Sequence, residues 1–188
     1  MICSKCGKAF DTCRINSVNT AEMPEIKEKV KDGSLFVCKC PFCGEIVLDN
    51  SDFLYHDPSS RILIVLSQRQ MSSPGMDGYV CRRVSSVGEL VEKIKIFDAG
   101  LDDIAVEICK YVTSQELGKD VEYKFYGIEG ADSEIILTYP EKGEMQMIAI
   151  GQNVYSDAVG ILSRSPELKK MASGLVKIDQ DWLSQFLR

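Results

Sequence analysis

Eight cysteines and a single histidine are the side chains of this sequence best suited to hold a metal or to act on a substrate. Four of the cysteines fall in two pairs of the same form, Cys3-Ser4-Lys5-Cys6-Gly7 and Cys40-Pro41-Phe42-Cys43-Gly44, both C-x-x-C-G. A two-residue gap lets both thiolates of one turn point at one ion. The sulfur of the first cysteine also accepts backbone N–H bonds from the turn. Glycine after the second cysteine suits the left-handed backbone that such a turn tends to need. Two turns of this kind, facing each other, supply the four sulfurs of a tetrahedral structural zinc site, so Cys3, Cys6, Cys40 and Cys43 are the expected ligands. Iron fits the same spacing, which does not separate the two metals. A redox C-x-x-C follows a strand and opens a helix, and no such pattern surrounds Cys3.

The other thiols fit the pattern less well. Cys38 lies two residues before Cys40, at the end of an expected strand SLFVC, and either packs beside the site or serves as a spare, exchanging thiolate. Cys109 falls on the apolar stripe of a helix and Cys81 in an expected strand, where free cysteine behaves as a small hydrophobe. Cys13 is left over as well. None has the neighbouring base that a nucleophilic cysteine requires. His56, in Leu54-Tyr55-His56-Asp57-Pro58, is a candidate general base or ligand. Adjacent strand residues point to opposite faces, so Asp57 is poorly placed to orient it, and a histidine tied into backbone bonds at a strand end is the plainer reading.

The elements that must position these residues follow from pattern. Between the cysteine pairs we expect a strand near Ala9 to Val18, a helix opening at Pro24 with Ile26 and Val30 on one face, a stop at Asp32-Gly33, and a strand from Ser34 to Cys38. A metal closing this excursion contributes folding energy directly. Arg61 to Ser67 is a continuous apolar run of strand length and reads as a central strand. Gln68 to Gly78 is a polar loop and Tyr79 to Val84 the next strand. Ser85 or Ser86 caps a helix carrying Val87, Leu90, Val91, Ile94 and Phe97 at helical spacing. After Gly100 a second helix carries Leu101, Ile104, Ala105, Ile108 and Val112, with Asp102 and Asp103 in the first turn where the helix dipole favours them. From Val121 three β segments form a meander with a turn at Glu141-Lys142-Gly143. Short helices near Ser156–Leu162, Pro166–Met171 and Asp179–Leu187 end the chain, the last anchored by Trp182 and Phe186. A phosphate loop, a GxSxG motif and an internal repeat are all missing.

The stretches CSKCG, INSVNTAEMPEIKEKVKDGSLFVCKCPFCG, FLYHDPSSRILIVL and RRVSSVGELVEKIKIFDAGLDDIAVEICKY resemble the CpXC family, a bacterial and archaeal domain named for its cysteine motifs. The resemblance covers residues 1 to 111 at least. Ser4 departs from it, standing where a C-P-x-C knuckle has proline. The resemblance implies a fold unit and zinc ligands at the knuckles, and it implies no activity.

Bulk properties bound the rest. The 188 residues suffice for a moderate domain with a small appended module, and 45% hydrophobic with 27% charged residues is ordinary for a globular protein. No apolar run approaches the roughly 20 residues of a membrane helix. The opening MICSKCGKAF has no apolar signal region, and we read the chain as complete and cytoplasmic, which makes metal or free thiol a better use of its cysteines than disulfides. Residues 98–144 hold twelve acids and four bases, a local −8 against −6 for the whole chain. That balance argues against a nucleic-acid partner, although a local basic patch remains open, and suits a solvated acidic surface.

The expected architecture is therefore α+β: a zinc-ribbon-like four-cysteine module over residues 1–50, joined to an antiparallel or mixed β-sheet with packing helices over residues 51–188. Strands and two helices fill 51–120 of that body, and the meander with the C-terminal helices fills 121–188. The expected function is structural zinc in a binding or scaffold module for a protein partner, with no catalytic residues and no membrane contact. Two alternatives stand beside it, a redox- or metal-responsive regulator using Cys38 and an enzyme with a pocket around His56 and the 68–78 loop. The sequence leaves the oligomeric state open.

Overall fold

A computed structural model describes residues 1–11, 15–71, 73 and 75–186. The chain divides into two compact units, Met1–Val91 with Gly174–Val176, and Glu92–Ser173 with Lys177–Arg188. The architecture is α+β, with a mixed sheet, several helices and a cysteine cluster near the N-terminus.

The first unit is built on a four-stranded sheet ordered β1-β4-β5-β6, from Ser17–Asn19, Phe53–Asp57, Ile62–Leu66 and Val80–Val84. β4 and β5 are antiparallel, while β1 on β4 and β6 on β5 are parallel. The period-2 alternation of a strand decides which side is core. Phe53, Tyr55 and Asp57 register on Leu66, Ile64 and Ile62, and all six are buried. Ile62–Leu66 is indeed interior to the sheet, as its apolar run implies. Past β6, Val176 bridges Arg82 and accepts a hydrogen bond from the Arg83 N–H at 3.0 Å, so the outer strand edge is covered.

Between the knuckles the chain departs from the expected strand–helix–strand. Regular pairing before the helix is confined to Ser17–Asn19; Ala9 makes only an isolated bridge to Ile2, and residues 12–14, Cys13 among them, lie outside the described residues. α1 spans Pro24–Lys31 with proline in its first turn, where a missing N–H costs nothing. Ser34–Phe36 then curls into a 3-10 turn rather than a strand. The cause is local. Asp32 Oδ1 accepts the Ser34 N–H at 2.8 Å, Gly33 sits at φ 78°, and Phe36 is drawn edge-on against Phe53 with centroids 5.0 Å apart. The strand proper, β2 at Val37–Lys39, pairs antiparallel with β3 at Ile46–Leu48.

α2 runs Val87–Asp98; Ser86 Oγ accepts the Glu89 N–H and Glu89 in turn accepts the Ser85 N–H, so its start lies where the serines predict. α3 runs Asp103–Leu117, capped by Asp102, whose carboxylate accepts from the N–H groups of Ile104 and Ala105, and stopped by Gly118 at φ 60°. The dipole reading holds, with Asp102 capping the helix and Asp103 in its first turn. Asp103 is buried, with Nζ of Lys93 3.0 Å away.

Around that pair the second unit holds a buried charge network. Lys110 reaches Glu92 at 2.6 Å and Glu107 at 2.9 Å, Glu92 accepts the Phe125 N–H, and Gln180 donates to Glu107 at 2.9 Å. Asp103, Glu107 and Lys110 thus form a second inward stripe on α3 beside the apolar one, and Val112 is only half-buried. On α2 Ile96 rather than Phe97 is fully buried, because the inward face widens to include Glu92 and Lys93.

The meander forms as expected, from β7 Lys124–Glu129, β8 Glu134–Glu141 and β9 Glu144–Ile150, with Lys142 and Gly143 at positive φ in the two-residue turn. α4 spans Gln152–Arg164, longer than the expected Ser156–Leu162, because it starts at Gly151 as soon as β9 ends; its Tyr155 hydroxyl accepts the Asp102 N–H at 2.8 Å. α5 is Pro166–Met171 and α6 Gln180–Ser184, whose Trp182 meets Phe186 just past the helix with tilted rings, centroids 4.9 Å apart. Leu187, the expected end of that helix, lies outside the described residues. No helix among the described residues is long and apolar enough to cross a membrane.

Candidate metal centre

The two knuckles are built alike. In the first, Cys3 N–H bonds Lys8 O at 3.0 Å and Gly7 N–H bonds Cys3 O at 2.9 Å; in the second, Cys40 N–H bonds Glu45 O at 2.8 Å and Gly44 N–H bonds Cys40 O at 2.9 Å. Gly7 and Gly44 stand at φ 70° and 74°, in the left-handed region where a side chain is strained. Ser4 replaces the proline of the second knuckle without changing these bonds. The strand ends that launch the turns are the Ile2–Ala9 bridge and the Lys39–Ile46 pair of β2 and β3. Across the gap Lys5 pairs with Glu45 at 2.9 Å, and Lys8 Nζ lies 4.7 Å from the Phe42 ring centre. Both are exposed contacts of small energetic weight.

Folding brings together the four cysteines expected from spacing. The sulfurs of Cys3, Cys6, Cys40 and Cys43 all lie within 4.8 Å of one another. Cys3 meets Cys43 at 3.6 Å and Cys6 meets Cys40 at 3.8 Å, so each contact crosses from one knuckle to the other. These are not disulfides, whose sulfurs sit about 2.05 Å apart. They match the edge of a tetrahedron with metal–sulfur bonds of about 2.3 Å, which is roughly 3.8 Å. Cys3 and Cys40 are 1% exposed, whereas Cys43 is open to solvent.

The electrostatics fit a cation. The Cys6 N–H, helped by the Lys5 N–H and neighbouring thiols, brings Cys3 down to about 7 against the opposing effect of burial. At Cys43 the Glu45 N–H pulls downward, but burial and the thiols of Cys3, Cys40 and Cys6 prevail and push it up to about 12. Four thiolates this close repel one another unless a cation sits among them. The cluster can hold a metal ion, and its all-sulfur donor set suits a soft or borderline one.

The CpXC protein family model matches residues 1–110, more than half of the chain. The chain belongs to the CpXC family. No curated protein and no solved structure matches it. In this CpXC chain the matched segment takes in both knuckles, the four-stranded sheet and α2, and it ends inside α3.

The remaining candidates lie elsewhere. Cys38 sits on β2 opposite Val47, outside the four-sulfur cluster. Cys81 and Cys109 are buried, and burial pushes Cys109 up to about 11, so it is an inert core thiol. His56 is half-buried on β4 with Nε2 3.3 Å from the Tyr79 hydroxyl. Asp57 points to the other face, where Lys27 and Ser59 bind it. An open depression of about 670 Å³ lies between Asn16, Leu54, Val65, Gln68 and Arg69, and His56 is not in its wall. The buried charge network of α2 and α3 escaped the reading of the sequence, because its residues recur at the spacing of a solvated helical face. Its one sequence signal is that Asp103, Glu107 and Lys110 repeat at i, i+4 and i+7 beside the apolar stripe.

Proposed function

We propose that the four thiolates hold one zinc ion as a structural clip, and that this CpXC protein is a binding or scaffold module for a protein partner. The cluster of four sulfurs within 4.8 Å carries the reading. Zinc supplies a closed tetrahedral centre that locks the two knuckles together. Cys3, Cys6, Cys40 and Cys43 would be its ligands, filling every position and leaving none for a substrate, which is the mark of a structural site. On this reading residues 1–50 are a zinc-ribbon-like module and residues 51–188 the body that presents the binding surface. Cys3, Cys6, Cys40, Cys43, Cys81 and Cys109 are free thiols, which supports a reducing compartment such as the cytoplasm. The acidic balance favours protein over nucleic acid as partner.

The test is metal analysis of the purified untagged chain, reduced and after mild peroxide. One zinc per chain, unmoved by peroxide and lost in Cys40→Ser, supports the clip. A reduced chain without zinc overturns it. Zinc released by peroxide but retained in Cys38→Ser makes Cys38 the functional thiol instead.

A further inference from the structure

The open depression of about 670 Å³ in the first unit has the make-up of a ligand site. Its walls come from the turn before β4, from β4 and β5, and from the segment after β5, and none of the four clustered cysteines is among them. Part of its lining is apolar. Leu54 and Val65 are cross-strand partners on β4 and β5, on the face opposite to the buried Phe53, Tyr55, Ile64 and Leu66. Leu54 is 37% exposed, and Met71, 46% exposed, stands in the same wall. The volume lies in the range that small organic ligands occupy.

The polar groups of the wall decide what such a ligand carries, because the bonds they already make fix which end of each is left over. Asn50 Oδ1 accepts the Val87 N–H at 3.0 Å, so its NH2 is the end left to donate. Ser67 is buried, and its Oγ accepts the backbone N–H of Arg69 at 3.2 Å, which leaves the hydroxyl hydrogen to give. Gln68 Nε2 is spent on the Ser85 carbonyl, leaving Oε1 as an acceptor. The Arg69 guanidinium makes no hydrogen bond, ion pair or ring contact among the described residues. The one carboxylate of the wall, Asp52, is already engaged and is not paired with it. The wall therefore offers one uncompensated cation and two further donors. Asn50, Ser67 and Gln68 are moreover all tied to the corner between β6 and α2, through the Val87 N–H and the carbonyls of Val84 and Ser85. Side chains and backbone pinned in this way lose little freedom when a ligand arrives.

We infer that this depression binds a monocarboxylate carried on an apolar body. The carboxylate meets the Arg69 guanidinium, whose planar fork matches its two oxygens, with the Asn50 NH2 and the Ser67 hydroxyl as further donors. The apolar body lies along Leu54 and Val65, and Gln68 Oε1 takes an N–H next to the carboxylate where the ligand has one. A single guanidinium matches a single negative charge. A dianionic phosphate leaves its second charge unmatched in a wall that also holds Asp52. The same chemistry is found in a free N-acyl amino acid and in the C-terminal residue of a polypeptide, and affinity for the one against the other tells them apart. The inference is independent of the zinc clip, whose residues lie outside this wall.

The test titrates the full chain, with its metal, against acetyl-leucine, acetyl-leucine amide, 3-methylbutyl phosphate and a short peptide ending in leucine with a free carboxylate. Backbone amide shifts in NMR report the binding. Acetyl-leucine should bind saturably, more weakly as salt rises, and move the signals of Leu54, Val65 and Arg69. The amide, which lacks the charge, should bind about tenfold more weakly, and the phosphate no more tightly than the acid. Arg69→Gln should weaken the acid about tenfold. Asn50→Asp keeps an oxygen for the Val87 N–H, so the start of α2 and the thermal transition stay in place, but it sets a carboxylate where the donor was and should abolish binding. Equal affinity for acetyl-leucine and the peptide supports the inference with a free acid as ligand. A peptide bound at least about tenfold more tightly supports it with a polypeptide end as ligand. No saturable binding, equal binding of acid and amide, tighter binding of the phosphate, or parent-like binding by Arg69→Gln or Asn50→Asp would each overturn it.

Discussion

Removing the metal should destabilise the unit that contains the knuckles by an amount the chain topology sets. Cys6 and Cys40 are 34 residues apart and meet only through the cluster. Closing a loop of that length removes about 4 kcal/mol of conformational entropy from the unfolded chain. The four thiolates add the free energy of binding itself, so about 4 kcal/mol is the lower figure for the difference between metal-loaded and metal-free protein. With a urea slope near 2 kcal/mol/M, the midpoint should fall by about 2 M. The assay is amide exchange of β4 and β5 across a urea series, with a high-affinity chelator and without. The single tryptophan, Trp182, belongs to the other unit and gives a second, separate readout. Cys6→Ser should reproduce the chelator's effect, and adding chelator to that variant should change little more. Unchanged β4 and β5 protection after complete metal removal would refute the reasoning, because the sheet would then close the loop unaided.

Three further outcomes follow from the packing. Lys110→Met leaves Glu92 and Glu107 buried without their shared cation and should cost about 3–5 kcal/mol in chemical denaturation, while replacing all three by apolar residues of similar size should cost far less. Asp57 is buried, which works to raise its pKa, but hydrogen bonds from Ser59, Lys27 and Ser60 outweigh that and bring it down to about 2. Its contribution, on the order of 1–2 kcal/mol, is therefore complete above about pH 4 and lost as pH falls toward 2, and Asp57→Asn should flatten the acid limb of the stability profile there. His56→Ala removes one half-buried contact to Tyr79 and should cost about 1 kcal/mol in a thermal melt, whereas a loss of several kcal/mol would show a larger structural role.

Local rules carried much of this protein. The C-x-x-C-G spacing dictates a knuckle whatever surrounds it, because the turn bonds run between residues at most five apart and glycine alone relaxes the left-handed step. Pro24, Asp102 and Gly118 bound helices for equally local reasons, and the continuous apolar run Ile62–Leu66 marks a strand interior to its sheet. Which knuckle faces which, and that all four sulfurs reach one another within 4.8 Å, depended on long-range pairing that returns Cys40 to Cys3. Ser34–Phe36 has strand propensity and still curls, because Phe36 gains more by packing on Phe53 than by extending. Asp103, Glu107 and Lys110 have the composition of a solvated face. Beyond the local Lys110–Glu107 pair, α2 with Glu92 and Lys93 and Gln180 make their burial tolerable, and the local sequence names none of these partners. The sequence by itself thus determined the knuckles, most helix ends and the apolar faces, where the deciding contacts lie within a few residues. The tertiary structure alone decided the assembly of the four-cysteine cluster, the buried ion network and the place of β9 at the end of its sheet, because each depends on what stands opposite.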